Sequence, residues 1–135
     1  MPKLKIVAVA ALATCLAGPA LAQEGDAAAG EQVFRKCQAC HAVGENATNK
    51  VGPQLNDLFG RQPGAMPDYS YSKAMKEFGE GKVWNAELLA DYLHAPRNVV
   101  KGTKMAFPGL RKDEEVADVI AYLAQYDEGG MDPAK

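Results

Sequence analysis

Apolar side chains recur at helical spacing in four segments of this chain, and no segment alternates apolar and polar residues as a strand does. The clearest repeat follows Asp113, where four apolar residues fall at positions i, i+3, i+4 and i+7: Val116, Val119, Ile120 and Leu123. Acidic residues in the first turn suit the positive end of a helix dipole there. Gly129 and Gly130 are expected to end this helix, and the fold class is predicted to be all-α.

The three other predicted helices each begin after a residue suited to capping the first turn. Asp26 can cap the first, Ser72 a second that Gly79 ends, and Asn85 a third that Pro96 stops. Between the helices, residues 42–68 and 97–110 are rich in Gly, Pro, Asn and Ser. Such loops are long for a small domain, and four modest helices give a thin core. A cofactor is therefore expected to supply part of the core.

The first 22 residues have the features of a secretory signal peptide. Lys3 and Lys5 precede an apolar run, and the small-x-small triplet at residues 20–22 marks cleavage after Ala22. An uncleaved membrane anchor and lipid attachment at Cys15 are the alternatives, but the apolar run is shorter than the ~20 residues of a membrane span. The chain is thus divided into a signal peptide, residues 1–22, and one domain, residues 23–135, that is expected to be exported to the periplasm.

Composition limits the function further. The 135 residues allow one domain of ordinary size, and the net charge of -2 is too small to imply nucleic-acid binding. The three cysteines are an odd number for an exported protein. Cleavage after Ala22 would remove Cys15, leaving the pair Cys37 and Cys40.

That pair forms the motif Cys37-Gln38-Ala39-Cys40-His41, the attachment signal of a c-type haem in an exported protein. Each thiol can add to one vinyl group of the porphyrin, and the adjacent histidine can bind the iron. Three alternatives use the same cysteine spacing. They are a structural disulfide, a thioredoxin-like redox pair and a zinc site. The redox pair needs a βαβ setting that this pattern lacks, and the zinc site has only His94 as a further ligand.

A second axial ligand has to come from a distant part of the chain. The candidates are Met66, Met75, Met105, Met131 and His94. Met75 has the spacing of helix-face packing, while Met66 and Met105 both lie in irregular segments. Because a methionine is more often core filler than a ligand, these residues alone leave the choice open.

Two segments resemble the class I c-type cytochromes, the small soluble bacterial kind close to the mitochondrial type. They are CQACH and Lys101 to Leu110, KGTKMAFPGL. Three further stretches extend the resemblance: VGPQLNDLFGR at 51–61, VWNAELLADYL at 83–93 and VIAYL at 119–123. It spans the chain from Gly25 to about Tyr126. The resemblance implies the cytochrome c fold, with three to five helices and long loops wrapped around one covalent haem c.

The same resemblance implies the ligands of that haem. Cys37 and Cys40 would form the thioether bonds, with His41 as proximal and Met105 as distal iron ligand. The carbonyl of Pro53 would accept the free ring N–H of His41, which fixes the imidazole and raises its basicity.

Further residues are implied around the haem. Tyr71, Trp84 and Thr103, with Arg61 nearby, would supply hydrogen bonds around the propionates, and Tyr92 would donate toward the Met105 sulfur. Phe107 would cover the exposed haem edge. Where the terminal helices meet, a second group is implied: Gly30 and Phe34 crossing Val119 and Tyr122.

With both axial positions filled, the resemblance implies a one-electron carrier and not an enzyme. The alternative is a haem enzyme or gas-binding sensor with a labile distal ligand. Expected partners are redox proteins that dock at the haem edge, such as a membrane oxidase, a reductase, a reaction centre or a periplasmic dehydrogenase; the carrier is expected to be a monomer without stable membrane insertion. Basic residues are expected to border the haem crevice and to steer acidic partners: Lys36, Lys50, Arg97, Lys101, Lys104, Arg111 and Lys112.

Overall fold

A computed structural model describes residues 24–129 as five helices joined by long loops, with no β-strand in that range. This confirms the all-α class and the expected three to five helices. None of the helices in the described range is long and apolar enough to cross a membrane. The predicted signal peptide, residues 1–22, and Met131 lie outside the described residues. The helices are α1 (Ala27–Phe34), α2 (Lys73–Gly79), α3 (Ala86–His94), α4 (Pro96–Val99) and α5 (Asp113–Ala124).

The three predicted N-caps are confirmed. The Asp26 carboxylate accepts from the first backbone N–H groups of α1, the Ser72 hydroxyl from the Met75 N–H, and the Asn85 side chain from the Leu88 N–H. These bonds satisfy donors that have no partner within their own helix. Helix α3 ends before Pro96 as predicted, but the proline also begins the short helix α4, which the sequence pattern did not indicate.

Helix α5 starts at Asp113 with no side-chain cap, and it ends at Ala124. The expectation that Gly129 and Gly130 end it is wrong. The backbone tightens first, because the N–H groups of Gln125 and Tyr126 bond to carbonyls only three residues back. The carbonyl of Tyr126 then accepts from the Asp57 N–H at 3.0 Å, which ties the chain to a loop instead of a further helical turn.

Helices α1 and α5 pack directly against each other, as the resemblance implied. A Cβ added at Gly30 would lie 1.9 Å from the Asp118 carbonyl oxygen, so only glycine allows this approach. The rings of Phe34 and Tyr122 stack with centroids 5.3 Å apart. The buried Asp118 carboxylate accepts from the Asp26 N–H at 2.7 Å and so links the start of α1 to the side of α5.

The loops contribute their own buried residues, including Leu58, Phe59 and Leu110. These pack with the inner faces of α1, α3 and α5 in one hydrophobic cluster. The cluster surrounds a cavity of about 330 Å³. The long loops therefore close around an interior space.

Candidate functional site

The cysteine motif follows directly from the end of α1. The backbone continues in tight turns, with the N–H of Cys37 bonded to Phe34 and the N–H groups of Cys40 and His41 bonded to the Cys37 carbonyl. These bonds at 2.7–3.0 Å bring both thiols and the imidazole to the wall of one cavity. Cys37 and Cys40 are not joined to each other by a disulfide, which disagrees with the disulfide alternative.

Burial raises the pKa of the Cys37 thiol to about 11, although Lys36 partly opposes the shift. A redox-active cysteine pair instead needs a lowered pKa, because the thiolate is the nucleophile. No group of three His, Cys, Asp or Glu side chains among residues 24–129 could hold a metal ion by itself. The redox and zinc alternatives therefore find no support in the described part of the chain.

The His41 ring is held by its Nδ1, which lies 2.7 Å from the carbonyl oxygen of Pro53. Because a carbonyl can only accept, Nδ1 carries the proton and Nε2 of the neutral ring keeps its lone pair. Burial lowers the pKa of His41, and the nearby cations Lys50 and Arg61 add to this, while the bond to Pro53 opposes it. The imidazole is therefore neutral at pH 7 and presents Nε2 as a metal ligand.

Gly52 packs against this ring, a role that the sequence pattern did not indicate. A Cβ added at Gly52 would lie 2.4 Å from Cε1 of His41, a distance that no side chain can occupy. The Gly-Pro dipeptide at 52–53 was visible in the sequence as a turn signal. Its contact with a ring 11 residues earlier was not, because it depends on how the loop folds back.

The Met105 sulfur lies on the same cavity and belongs to a closed ring of hydrogen bonds. The Met105 N–H donates to Oγ1 of Thr103 at 3.2 Å, and the Tyr92 hydroxyl donates to the Met105 sulfur at 3.4 Å. Since the Tyr92 hydroxyl has one proton, the Thr103 hydroxyl must donate to it across their 3.2 Å contact. Thr103 thus fixes the methionine through Tyr92.

Arg61, Tyr71 and Trp84 also line the cavity. The half-buried Arg61 guanidinium donates to the carbonyls of Gln54 and Asn56, both at 3.3 Å. Burial lowers its pKa and raises that of Tyr71. Trp84 is buried with its ring 5.3 Å from that of Tyr92. Within residues 24–129 no carboxylate lies in salt-bridge distance of Arg61.

The other ligand candidates in the described range have different surroundings. The Met66 sulfur lies 3.8 Å from the Arg61 guanidinium, outside the cavity lining. His94 bonds through Nδ1 to the Leu110 carbonyl and pairs through Nε2 with Asp113. Met75 lines the cavity but is a buried core residue of α2.

The cavity fits a haem in its chemistry. It brings together two thiols, a neutral imidazole with a free Nε2, a thioether, and a guanidinium that lacks a carboxylate partner in the described range and suits a propionate. The remaining wall is mostly apolar, and Phe107 lies on it with Ala106 and Lys104. Such a lining withdraws a flat apolar ring from water while satisfying its charged edge.

Several of the predicted crevice cations have partners. Lys36 and Lys104 both line the cavity; Lys36 pairs with Glu115 at 2.7 Å, and Lys104 donates to the Ser70 carbonyl at 2.7 Å. Lys50 likewise donates to the Gln38 carbonyl, and Arg97 donates to the Ala106 carbonyl at 3.2 Å. All seven cations are exposed, Lys101, Arg111 and Lys112 included. Val51 also lines the cavity and is 77% exposed.

Comparison with known proteins gives concordant matches over nearly the whole described range. A family model described as cytochrome c matches residues 27–127. The chain is 54% identical over 111 residues to cytochrome c2 of Afifella marina, covering 81% of this chain and 90% of that one. It is 45% identical over 111 residues to cytochrome c-550 of Nitrobacter winogradskyi, covering 82% and 100%. The structure of cytochrome c2 from Rhodospirillum centenum superposes with a TM-score of 0.73 at 39% identity, covering 76% of this chain and 99% of that one.

Proposed function

The chain belongs to the cytochrome c family of electron carriers and carries one covalently bound haem c, and from this premise we propose that it is a one-electron shuttle whose haem iron is bound by His41 and Met105. One observation carries the proposal. The free Nε2 of His41 and the Met105 sulfur line the same cavity as Cys37 and Cys40. When bound, the haem supplies a one-electron iron couple. The chain's own residues provide two fixed axial ligands and a dry pocket.

These residues favour electron transfer over substrate binding. The Thr103–Tyr92 hydrogen bonds hold the Met105 sulfur in place, and the bond to Pro53 holds His41. Ligands that stay in position in both oxidation states keep structural reorganisation small. A thioether and an apolar pocket both favour ferrous iron, which raises the reduction potential. The protein therefore acts as a carrier, and no substrate has a coordination position to occupy.

Carbon monoxide separates this carrier from a haem enzyme or a gas sensor. A protein whose distal ligand is labile binds the gas as soon as its iron is reduced. We expect the reduced native protein to keep its absorption spectrum when carbon monoxide is added at pH 7. Immediate and complete conversion to a carbonyl spectrum would contradict Met105 ligation and favour the enzyme or sensor.

The docking face for redox partners is the rim of the cavity. Lys36, Lys104 and the exposed Val51 all line this cavity, which offers both positive charge and an apolar contact to a partner. Acidic partners fit this surface, and their association rate should fall as salt rises. Lys104→Gln should weaken both the rate and its salt dependence, whereas Lys73→Gln, on an exposed side chain of α2, should change neither. A rate independent of ionic strength would contradict steering.

We place this carrier in the periplasm, as a mature chain that starts at Gln23. The basic and apolar pattern of residues 1–22 supports export, and cleavage after Ala22 would remove Cys15 and leave Cys37 and Cys40 to bind the haem. Mass spectrometry of the periplasmic protein should give the mass of residues 23–135 plus one haem. A mass that retains residues 1–22 would indicate an uncleaved anchor.

A further inference from the structure

Tyr69 contacts the backbone behind the proposed proximal histidine, although it lies in a different loop. Its hydroxyl donates to the carbonyl oxygen of Val51 at 2.6 Å. We propose that Tyr69 is a positioning residue for His41, acting through the Val51–Gly52 peptide, and that its hydroxyl thereby tunes the reduction potential. This inference rests on the proposed ligation of iron by His41.

The two polar groups of a single peptide unit carry the argument. The carbonyl of Val51 accepts from Tyr69, and the N–H of Gly52 donates to the Cys40 carbonyl at 2.9 Å. One side of this peptide is thus fixed to the haem-binding motif and the other to the 66–72 loop. A peptide plane held at both ends cannot rotate without breaking a hydrogen bond.

Side-chain packing does little to hold this peptide in place. Val51 is 77% exposed, so its side chain adds little to the fixing of its own backbone. Gly52 has no side chain and would otherwise be free to sample a wide range of dihedral angles. Within the segment, the Lys50 N–H donates to the Gly52 carbonyl at 2.8 Å, so this turn and the hydrogen bond from Tyr69 together restrain the Val51–Gly52 peptide.

Rotation of this peptide would affect the His41 ring in two ways. Gly52 lies in close contact with the His41 ring, since its added Cβ would fall within 2.4 to 2.9 Å of three ring atoms. The next carbonyl, that of Pro53, accepts the Nδ1 proton at 2.7 Å. A shift at residues 51–52 thus changes both the contact with the ring and the bond that sets its basicity.

Tyr69 is itself held by its neighbours. Its ring packs edge-on against Tyr71 with centroids 4.7 Å apart, and the Asn49 amide donates to the Asp68 carbonyl at 3.1 Å. The two loops are therefore joined at adjacent positions. Both contacts help to hold the Tyr69 hydroxyl against Val51.

The test is Tyr69→Phe, which removes the hydroxyl and keeps the ring. The control is Tyr126→Phe, which removes another half-buried tyrosine hydroxyl, bonded to Tyr122 at 3.1 Å. In the reduced, haem-loaded protein, the Nδ1 proton of His41 should exchange with water about two- to tenfold faster in Tyr69→Phe, the range of one lost hydrogen bond. Amide protons inside α1 should exchange at the native rate in both variants.

The reduction potential gives an independent readout with a defined sign. A weaker bond to Pro53 makes the imidazole a poorer electron donor, which favours ferrous iron and raises the potential. Mere entry of water would stabilise ferric iron and lower it. We expect a higher potential in Tyr69→Phe and the native value in Tyr126→Phe.

Each other outcome contradicts either the inference or its premise. Equal proton exchange and potential in the two variants would show that the Tyr69 hydroxyl does not position His41. A Tyr69→Phe protein that fails to acquire haem, or that has a lower potential, would assign Tyr69 to folding or to water exclusion. The native protein tests the premise separately, because a His41 ring bound to iron has proton resonances strongly shifted by the haem ring current.

Discussion

At the scale of single residues, the two proposed axial ligands are oriented by different means. His41 is held by one short hydrogen bond to the backbone at Pro53, with Gly52 packed against its ring. Met105 is held through hydroxyl groups, since Tyr92 and Thr103 form a hydrogen-bonded ring with its own N–H and sulfur. A hydrogen bond donated to the sulfur weakens the electron donation of the sulfur to iron. The Tyr92–Thr103 network therefore tunes the reduction potential as well as positioning Met105.

Replacing Met105 by alanine tests the distal ligand directly. The variant Met105→Ala should lower the reduction potential by on the order of 100 mV or more, since axial ligands tune haem potentials over about 0.8 V. It should also bind carbon monoxide at once when reduced. Redox titration and absorption spectroscopy measure both effects.

The control is Met66→Ala, because Met66 lies in a neighbouring loop outside the cavity lining. It should bind no carbon monoxide. An unchanged potential in Met105→Ala, or carbonyl formation in Met66→Ala, would mean that another residue completes the iron coordination.

The sequence indicated the chemical groups at this site but not how they are supported. The cysteine motif has a fixed spacing, and the resemblance assigned Met105, Tyr92 and Pro53 to positions that line one cavity or border its ligands. Gly52 and Tyr69 carry no such signal. Their roles depend on contacts between residues 11 and 18 positions apart in loops, where no periodic pattern constrains the path.

At the scale of elements, the crossing of α1 and α5 is the clearest direct helix contact. Gly25 and Gly30 both lie against α5, where an added Cβ would meet backbone oxygens of Ala117 and Asp118 at 1.9 Å. Backbone cannot move aside as a flexible side chain can. The two helices therefore depend on glycine at their crossing.

Gly30→Ala tests this crossing. Alanine favours a helix by about 1 kcal/mol over glycine, so the substitution would stabilise α1 if nothing lay beside it. We expect a net loss of about 1–2 kcal/mol in the free energy of unfolding, because overpacking against a backbone carbonyl costs up to about 3 kcal/mol and outweighs the propensity. Guanidinium unfolding of the haem-loaded protein, followed by circular dichroism, measures the change.

Gln32→Ala is the matched control, since Gln32 is exposed on the same helix. Its stability should stay within about 0.5 kcal/mol of the native value. Equal or greater stability in Gly30→Ala would show that α5 can shift to admit a methyl group.

Helix starts were easier to predict than helix ends. Asp26, Ser72 and Asn85 act through their own side chains on the next few N–H groups, so a local pattern is sufficient. The end of α5 depends instead on the bond between Tyr126 and Asp57, which are far apart in sequence. Local glycine signals at 129 and 130 could not reveal that contact.

At the scale of the whole molecule, the cavity lies where a small protein would have its core. Buried residues from every part of the fold line it, among them Phe34 of α1, Trp84, Leu89 of α3 and Leu123 of α5. Helices α1 and α5 touch directly, and α2 packs through Gly79 against the Pro63 backbone while Met75 of the same helix lines the cavity. The haem therefore acts as a structural element as well as a redox group.

The chain without haem is expected to be largely unfolded. Without haem, the apolar residues that line the cavity lose the surface against which they pack, and the long loops lose the contact that holds them in place. Domains of this size are stable by only about 5–15 kcal/mol, so this loss of packing removes much of the margin. Far-UV circular dichroism of protein made without haem attachment should show less than half the helical signal of the haem-loaded protein. Any residual helix should come from α1 and α5, whose contact needs no haem, and native-like helicity throughout the haem-free chain would contradict this account.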